Sequence, residues 1–237
     1  MNGQISIACI AGLLLTLGLA ISLVRRSEVS FRWLLAAAAL VIVNDALLTN
    51  LYGLLPDRVG GDWNWQGKGL ALATTLLIAL ALPGGWREAG LTLRHTPGSV
   101  RSAAAVSALY AGFFLALALA FPNDAPSPET LAFQLTMPGL EEEAFYRGVL
   151  LVVLGRAFIG RKRLLGVDWG WGALLSCLLF GLAHAFGVTD AGIRFDPLTL
   201  ALTAVPSLLG VWLVLRTGSL LLPVILHNFG NTIMGLL

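Results

Sequence analysis

Apolar runs of about 20 residues, the length at which a helix crosses a bilayer, recur eight times along the chain, at roughly 4–24, 33–52, 69–85, 102–121, 131–155, 169–188, 197–215 and 219–237. Charged residues gather in short clusters between the runs. Backbone N–H and C=O groups cannot stay unpaired in hydrocarbon, and the connections are short. The pattern therefore predicts an all-α polytopic membrane protein, a bundle of about eight transmembrane helices forming a single integral-membrane domain over 1–237. The first run lacks a preceding basic segment, and its apolar core exceeds that of a secretory signal, so it is read as a retained helix.

Composition agrees. With 57% hydrophobic and 12% charged residues, the chain can be neither a water-soluble globule nor a disordered segment. A net charge of +2 offers no basic face for nucleic acid. Cys9 and Cys177 lie singly inside apolar runs and read as packing residues, without the paired spacing of a disulfide framework or zinc knuckle. Eleven Lys and Arg fall in the loops after odd-numbered runs and three, Arg58, Lys68 and Arg194, after even-numbered ones. Under the positive-inside rule both termini are expected on the non-cytoplasmic side. The longest loops, about 53–68 and 86–101, carry Trp63, Trp65 and Trp86 and are expected to lie along the membrane interface. No internal repeat or Gly-rich phosphate loop stands out, so an inverted-repeat transporter has no positive support.

An ionisable residue at mid-membrane costs about 2.5–3.5 kcal/mol or more, so each one inside a run requires a reason. The fifth run holds four: Glu141, Glu142, Glu143 and Arg147. On a helix Glu143 and Arg147 are four apart and form a charge-neutralising pair, while Glu142 is turned about 100° away and left free to exchange protons. Glu141 is expected as the outer, partly hydrated member. His184 stands in the sixth run; His227 and Asn231 share one face of the eighth. A carboxylate, two imidazoles and an amide are the inventory for activating water and stabilising an oxyanion, so water-activated acyl hydrolysis inside a membrane is the expected reaction class. Ser176 and Cys177 are poorly spaced from His184 to serve as nucleophiles.

Glu142-Glu143-x-x-x-Arg147, Phe180-x-x-x-His184 and His227-x-x-x-Asn231, in this order on three separate runs, resemble the three motifs of the CPBP family. These are the CAAX-protease and bacteriocin-processing intramembrane endopeptidases, which include type II CAAX prenyl proteases. The likeness covers about 135–235, flanked by Arg147-Gly148 and Thr217-Gly218-Ser219-Leu220; Pro206 and Ser207 depart from it, where relatives carry glycine or an aromatic residue. The resemblance implies a catalytic four-helix core over 131–237, with 1–130 supplying four helices that carry no matched motif. It implies Glu142 as the general base, His184 holding the water, His227 and Asn231 as the oxyanion pair, and Glu143 with Arg147 as structural partners. Zinc on Glu142, His184 and His227 is the alternative, because the family has been described as metal-dependent. The chain lacks His-Glu-x-x-His, and asparagine is a poor zinc ligand, so no cofactor is the preferred expectation. The implied substrate is a membrane-embedded or lipid-modified protein or peptide reached within the lipid bilayer, and the implied location is the cytoplasmic membrane of a prokaryote. A proton-coupled transporter, with Asn44 and Asp45 as a further relay step, and a non-catalytic immunity protein are the competing functions.

Overall fold

The computed structural model describes residues 2–56 and 58–237. In chain order the helices are α1 (Asn2–Val24), α2 (Phe31–Thr49), α3 (Trp65–Ala81), the single turn α4 (Gly85–Glu88), α5 (Val100–Ala120), α6 (Pro128–Gln134), α7 (Met137–Glu142), a π-helical segment (Glu143–Leu150), α8 (Leu151–Ala157), α9 (Trp171–Ala185), α10 (Pro197–Thr217) and α11 (Leu221–Leu236). Two antiparallel hairpins bracket α9: β1 (Lys162–Leu164) with β2 (Val167–Trp169), and β3 (Phe186–Thr189) with β4 (Gly192–Phe195).

The protein is mostly helical, and the apolar runs differ in length and continuity. Among the described residues four helices are long and apolar enough to cross a membrane: Gly3–Val24, Phe31–Thr49, Val100–Ala120 and Pro197–Thr217. α9 and α11 are apolar but span 15 and 16 residues. The run at 131–155 is broken instead of continuous. Pro138 has no N–H to return to the carbonyl of residue 134, so the chain turns at Leu135 and Thr136 and restarts as α7. The run at 169–188 is cut at both ends by the hairpins. In the first, Leu165 (φ 53°) and Gly166 (φ 78°) form the two-residue turn, both left-handed as a type I′ turn demands. These hairpins correct the expectation of a purely α-helical chain.

One apolar core joins α1, α2, the π-helical segment, α8 and α9, with Leu14, Leu34, Val149, Leu150, Leu154 and Phe158 almost fully buried. α9 approaches closely because it is small where it meets its neighbours: a Cβ on Gly172 would stand 2.6 Å from the Leu154 carbonyl, and one on Gly181 2.8 Å from the Ala204 Cβ. Outward, large apolar side chains such as Leu77, Leu109, Leu119 and Val205 are exposed, as expected of an integral membrane protein in contact with lipid. Cys9 is exposed and so does not pack the interior, whereas Cys177 is buried; both are free thiols.

Candidate active site

The break in the fifth run creates the site. At the start of α7, Gly139 lies so close to α11 that a Cβ would stand 2.5 Å from Asn228 Oδ1 and 2.7 Å from the Val224 carbonyl. The Gly139 N–H donates to Asn228 Oδ1 at 2.7 Å, and Asn228 Nδ2 donates to the Thr136 carbonyl at 3.2 Å. One amide side chain thus supplies an acceptor for the Gly139 N–H in the first turn of α7, adds a second donor to the Thr136 carbonyl, and clamps α7 to α11. The register then widens into the π-helical segment, a distortion that recurs at functional sites because it redirects side chains.

Glu143 and Arg147 form the expected pair, Arg147 Nη1 lying 3.1 Å from Glu143 Oε1 with both side chains 3% exposed. The guanidinium also lies over the Phe180 ring, 4.0 Å from its centroid. Glu143 does more than pair with arginine. Its Oε1 accepts a hydrogen bond from His227 Nδ1 at 2.7 Å, so the same carboxylate fixes the imidazole's tautomer and orientation. His184 is set in a parallel way, its Nδ1 donating to the Phe180 carbonyl at 2.9 Å.

Both imidazoles therefore turn Nε2 toward Glu142. Its Oε2 lies 3.6 Å from His227 Nε2 and 3.8 Å from His184 Nε2, and it is buried without a hydrogen-bond partner. His227 is deep, its side chain 10% exposed; His184, in the last turn of α9, is 38% exposed. α9 ends at Ala185 and gives way to β3, so His184 stands at a helix end and not at mid-helix.

These groups line one cavity of about 580 Å³ with Asn231, Tyr110, Phe114 and Met234. Pro206 and Ser207, the positions that depart from the family pattern, form part of its wall. Trp63 and Trp65 pack on Phe133 at the same cavity, and their indoles donate to Thr130 Oγ1 and Glu129 Oε1. The Glu129 carboxyl, accepting from the Asp62 and Trp63 backbone N–H groups as well, is held below the usual carboxylate range, chiefly by the Asp62 bond. Ser176 is fully buried and donates to the Tyr146 carbonyl; like Cys177 it does not line this cavity.

Two residues stand elsewhere than the sequence pattern expects. Glu141 is completely buried, not the hydrated outer member; its Oε1 accepts from Asn44 Nδ2 at 3.2 Å. Lys68, counted among the loop charges, lies in the first turn of α3 and inside the site. Its Nζ is 2.6 Å from Glu141 Oε2 and 2.6 Å from Glu142 Oε1. The signal for Lys68 was its place next to the apolar run at 69–85, but nothing in one sequence pairs it with carboxylates more than 70 positions away. Asn228 was likewise visible only as a neighbour of His227.

Lys68, Glu142, Arg147, His184 and His227, from α3, α7, the π-helical segment, α9 and α11, thus converge on one cavity wall, with Glu141 and Glu143 paired to them from behind. Residues 126–233 match the family model Rce1-like, described as type II CAAX prenyl endopeptidase Rce1-like. That segment is an Rce1-like domain. The match is consistent with the CPBP resemblance and begins at the loop before α6; α1, α2, α3 and α5 lie outside it. No curated protein and no solved structure matches the chain. An Rce1-like domain points to a protease whose substrate is membrane-associated or prenylated.

Zinc is the one cofactor the resemblance raises. A carboxylate oxygen and two imidazole Nε2 atoms are chemically apt donors, yet among the described residues no group of three or more His, Cys, Asp or Glu side chains is arranged to hold a metal ion. Glu142, His184 and His227 are the side chains that would hold the ion.

Proposed function

We propose that the protein is an intramembrane endopeptidase in which Glu142 activates water for attack on a peptide bond of a membrane-embedded or lipid-modified substrate. The observation that carries this reading is the buried, unpartnered Oε2 of Glu142, with two imidazole Nε2 atoms 3.6 and 3.8 Å away on the wall of a cavity. Separations beyond 3.5 Å are too long for a direct hydrogen bond and suit a bridging water. With each Nδ1–H already given away, a neutral imidazole offers Nε2 as an acceptor, so a water held here donates its protons inward and turns an oxygen lone pair toward the cavity.

In the reaction the water oxygen bonds to the carbonyl carbon while one of its protons passes to Glu142. The carbonyl oxygen becomes an oxyanion facing Asn231 and His227, with the Asn231 amide N–H as its donor. The C–N bond then breaks as the proton held by Glu142 moves to the leaving nitrogen, giving a carboxylic acid and an amine, and the acid's remaining water-derived proton passes to the amine to leave a carboxylate and an ammonium. His184 holds the water, while Glu143 and Arg147 keep the π-helical segment and His227 in place. The aromatic and aliphatic lining from α5, α10 and α11 suits a lipid-modified or apolar segment delivered from the bilayer. The excess of Lys and Arg in the loops after odd-numbered runs supports an orientation with both termini on the non-cytoplasmic side.

The test is cleavage of a prenylated peptide with a C-terminal CAAX sequence by the purified protein, together with comparison of precursors in membranes carrying the parent or Glu142→Gln. Loss of a general base lowers the rate by about 10²–10⁴. Parental turnover by a folded Glu142→Gln protein overturns the proposal.

A further inference from the structure

Among the described residues, Lys68 is the one cation within reach of the Glu142 carboxylate that comes from outside the Rce1-like segment, and its placement is over-determined. α3 starts at Trp65 under an N-cap from Asn64, whose Oδ1 accepts from Gly67 N at 2.9 Å while its Nδ2 donates to the Leu48 carbonyl at 2.7 Å. The first turn of α3 is thereby tied to the end of α2. Lys68, in that turn, is 14% exposed. Its ammonium divides two of its three N–H donors between Glu141 Oε2 and Glu142 Oε1, and Glu141 is held from its other side by Asn44 of α2. A chain of hydrogen bonds therefore runs from α2 through Glu141 and Lys68 to Glu142.

The consequence is geometric. Glu142 has two carboxylate oxygens, and occupation of Oε1 by Lys68 leaves Oε2 as the one presented to His184 and His227. A carboxylate on a flexible side chain without that contact rotates, and its oxygens exchange places. Lys68 also lies between two cavities: the one of about 580 Å³ already described and a second of about 260 Å³ bounded by α1, α2 and α9. Lys68, Glu142 and His184 line both, so the ammonium braces Glu142 where it has open space on two sides.

We infer that Lys68 is a positioning residue for the proposed peptidase, holding the Glu142 carboxylate by Oε1 so that Oε2 faces the two imidazoles and the water between them. This makes α2 and α3 part of the catalytic apparatus through Asn44, Glu141 and Lys68. The inference rests on the function proposed above and names a residue that the three motifs do not contain.

The test uses the full chain, solubilised and assayed on the prenylated peptide, with Lys68→Met, Lys68→Arg and Glu142→Gln side by side and thermal unfolding as the check on folding. Misplacement of a reacting group by about 1 Å costs on the order of 10²-fold. Lys68→Met, similar in length and without charge, is expected to lose kcat by about 10- to 100-fold with KM changed far less. Lys68→Arg, which keeps a cation at this place, is expected to recover part of the loss. A folded Lys68→Met protein with parental kcat, beside an inactive Glu142→Gln, overturns this inference alone. Parental kcat in Glu142→Gln ends the peptidase reading and this inference with it. If Lys68→Met does not fold, Lys68→Arg decides: activity well above that of Glu142→Gln supports the inference, and a folded Lys68→Arg protein as inactive as Glu142→Gln overturns it.

Discussion

Replacing Arg147 with methionine removes one half of a charge pair that has almost no access to solvent. The two groups lie 3.1 Å apart, each 3% exposed. Opposite unit charges at that separation attract by about 5 kcal/mol at an effective dielectric constant of about 20. Desolvation of both groups offsets much of this, so the intact pair contributes little net stability. Loss of one partner is a different matter. Arg147→Met leaves Glu143 buried with His227 as its remaining polar contact, a situation that costs about 3–5 kcal/mol. The cation over the Phe180 ring adds about 0.5–2 kcal/mol. Glu143→Gln in the same background removes the stranded charge, so the double variant is expected to be more stable than the sum of the singles by about 2 kcal/mol. Unfolding by sodium dodecyl sulfate in mixed micelles, followed by tryptophan fluorescence and run as a double-mutant cycle, measures both quantities. An Arg147→Met loss below about 1 kcal/mol, or additivity within about 0.5 kcal/mol, would show that the pair is not the buried unit described here.

Three further outcomes follow from the same geometry. Gly139→Ala forces a methyl group to within 2.5 Å of Asn228 Oδ1 and 2.7 Å of the Val224 carbonyl, and is expected to destabilise by about 1–3 kcal/mol in the same micelle titration while lowering activity through the displaced α7. Asp196 caps α10, accepting from the Leu198 and Thr199 N–H groups and the Thr199 hydroxyl; these bonds, the hydroxyl first, hold its carboxyl below the ordinary value. Its contribution to stability is fully present above the unfolded pKa of about 4 and is lost as pH falls through the lower folded value. Asp196→Asn should therefore flatten the acid side of the melting profile, and a profile unchanged from the parent counts against the cap. Protein purified in chelator is expected to cleave the prenylated peptide at the parental rate; activity lost on chelation and restored by stoichiometric zinc would replace the water-and-glutamate scheme.

The chemistry of the site was largely legible in the linear chain because it is carried by residue types that are costly in an apolar run. Glu142, Glu143, Arg147, His184, His227 and Asn231 stand out for that reason; all but Glu143 line one cavity, and Glu143 pairs with Arg147 and His227 behind its wall. The spacing of Glu143 and Arg147 fixes their pairing locally, within about one helical turn. Hydropathy likewise identified the membrane class, since it depends on composition over about 20 residues and on little else.

What hydropathy could not decide was how many apolar runs form whole helices. Whether a run continues through Pro138 or stops at Ala185 depends on whether another element supplies partners for the freed backbone groups. Here those partners are Asn228 of α11 and the pairing of β3 with β4. Charge placement had the same limit. Lys68 sits at the edge of a loop and Glu141 near the start of a charged cluster, and only packing of α3 against α7 brings them within 2.6 Å, with Glu141 fully buried. Sequence alone settled which side chains were too expensive to lie in lipid without purpose, because transfer cost belongs to each residue; tertiary structure settled which of them meet, because pairing depends on contacts between residues far apart in the chain.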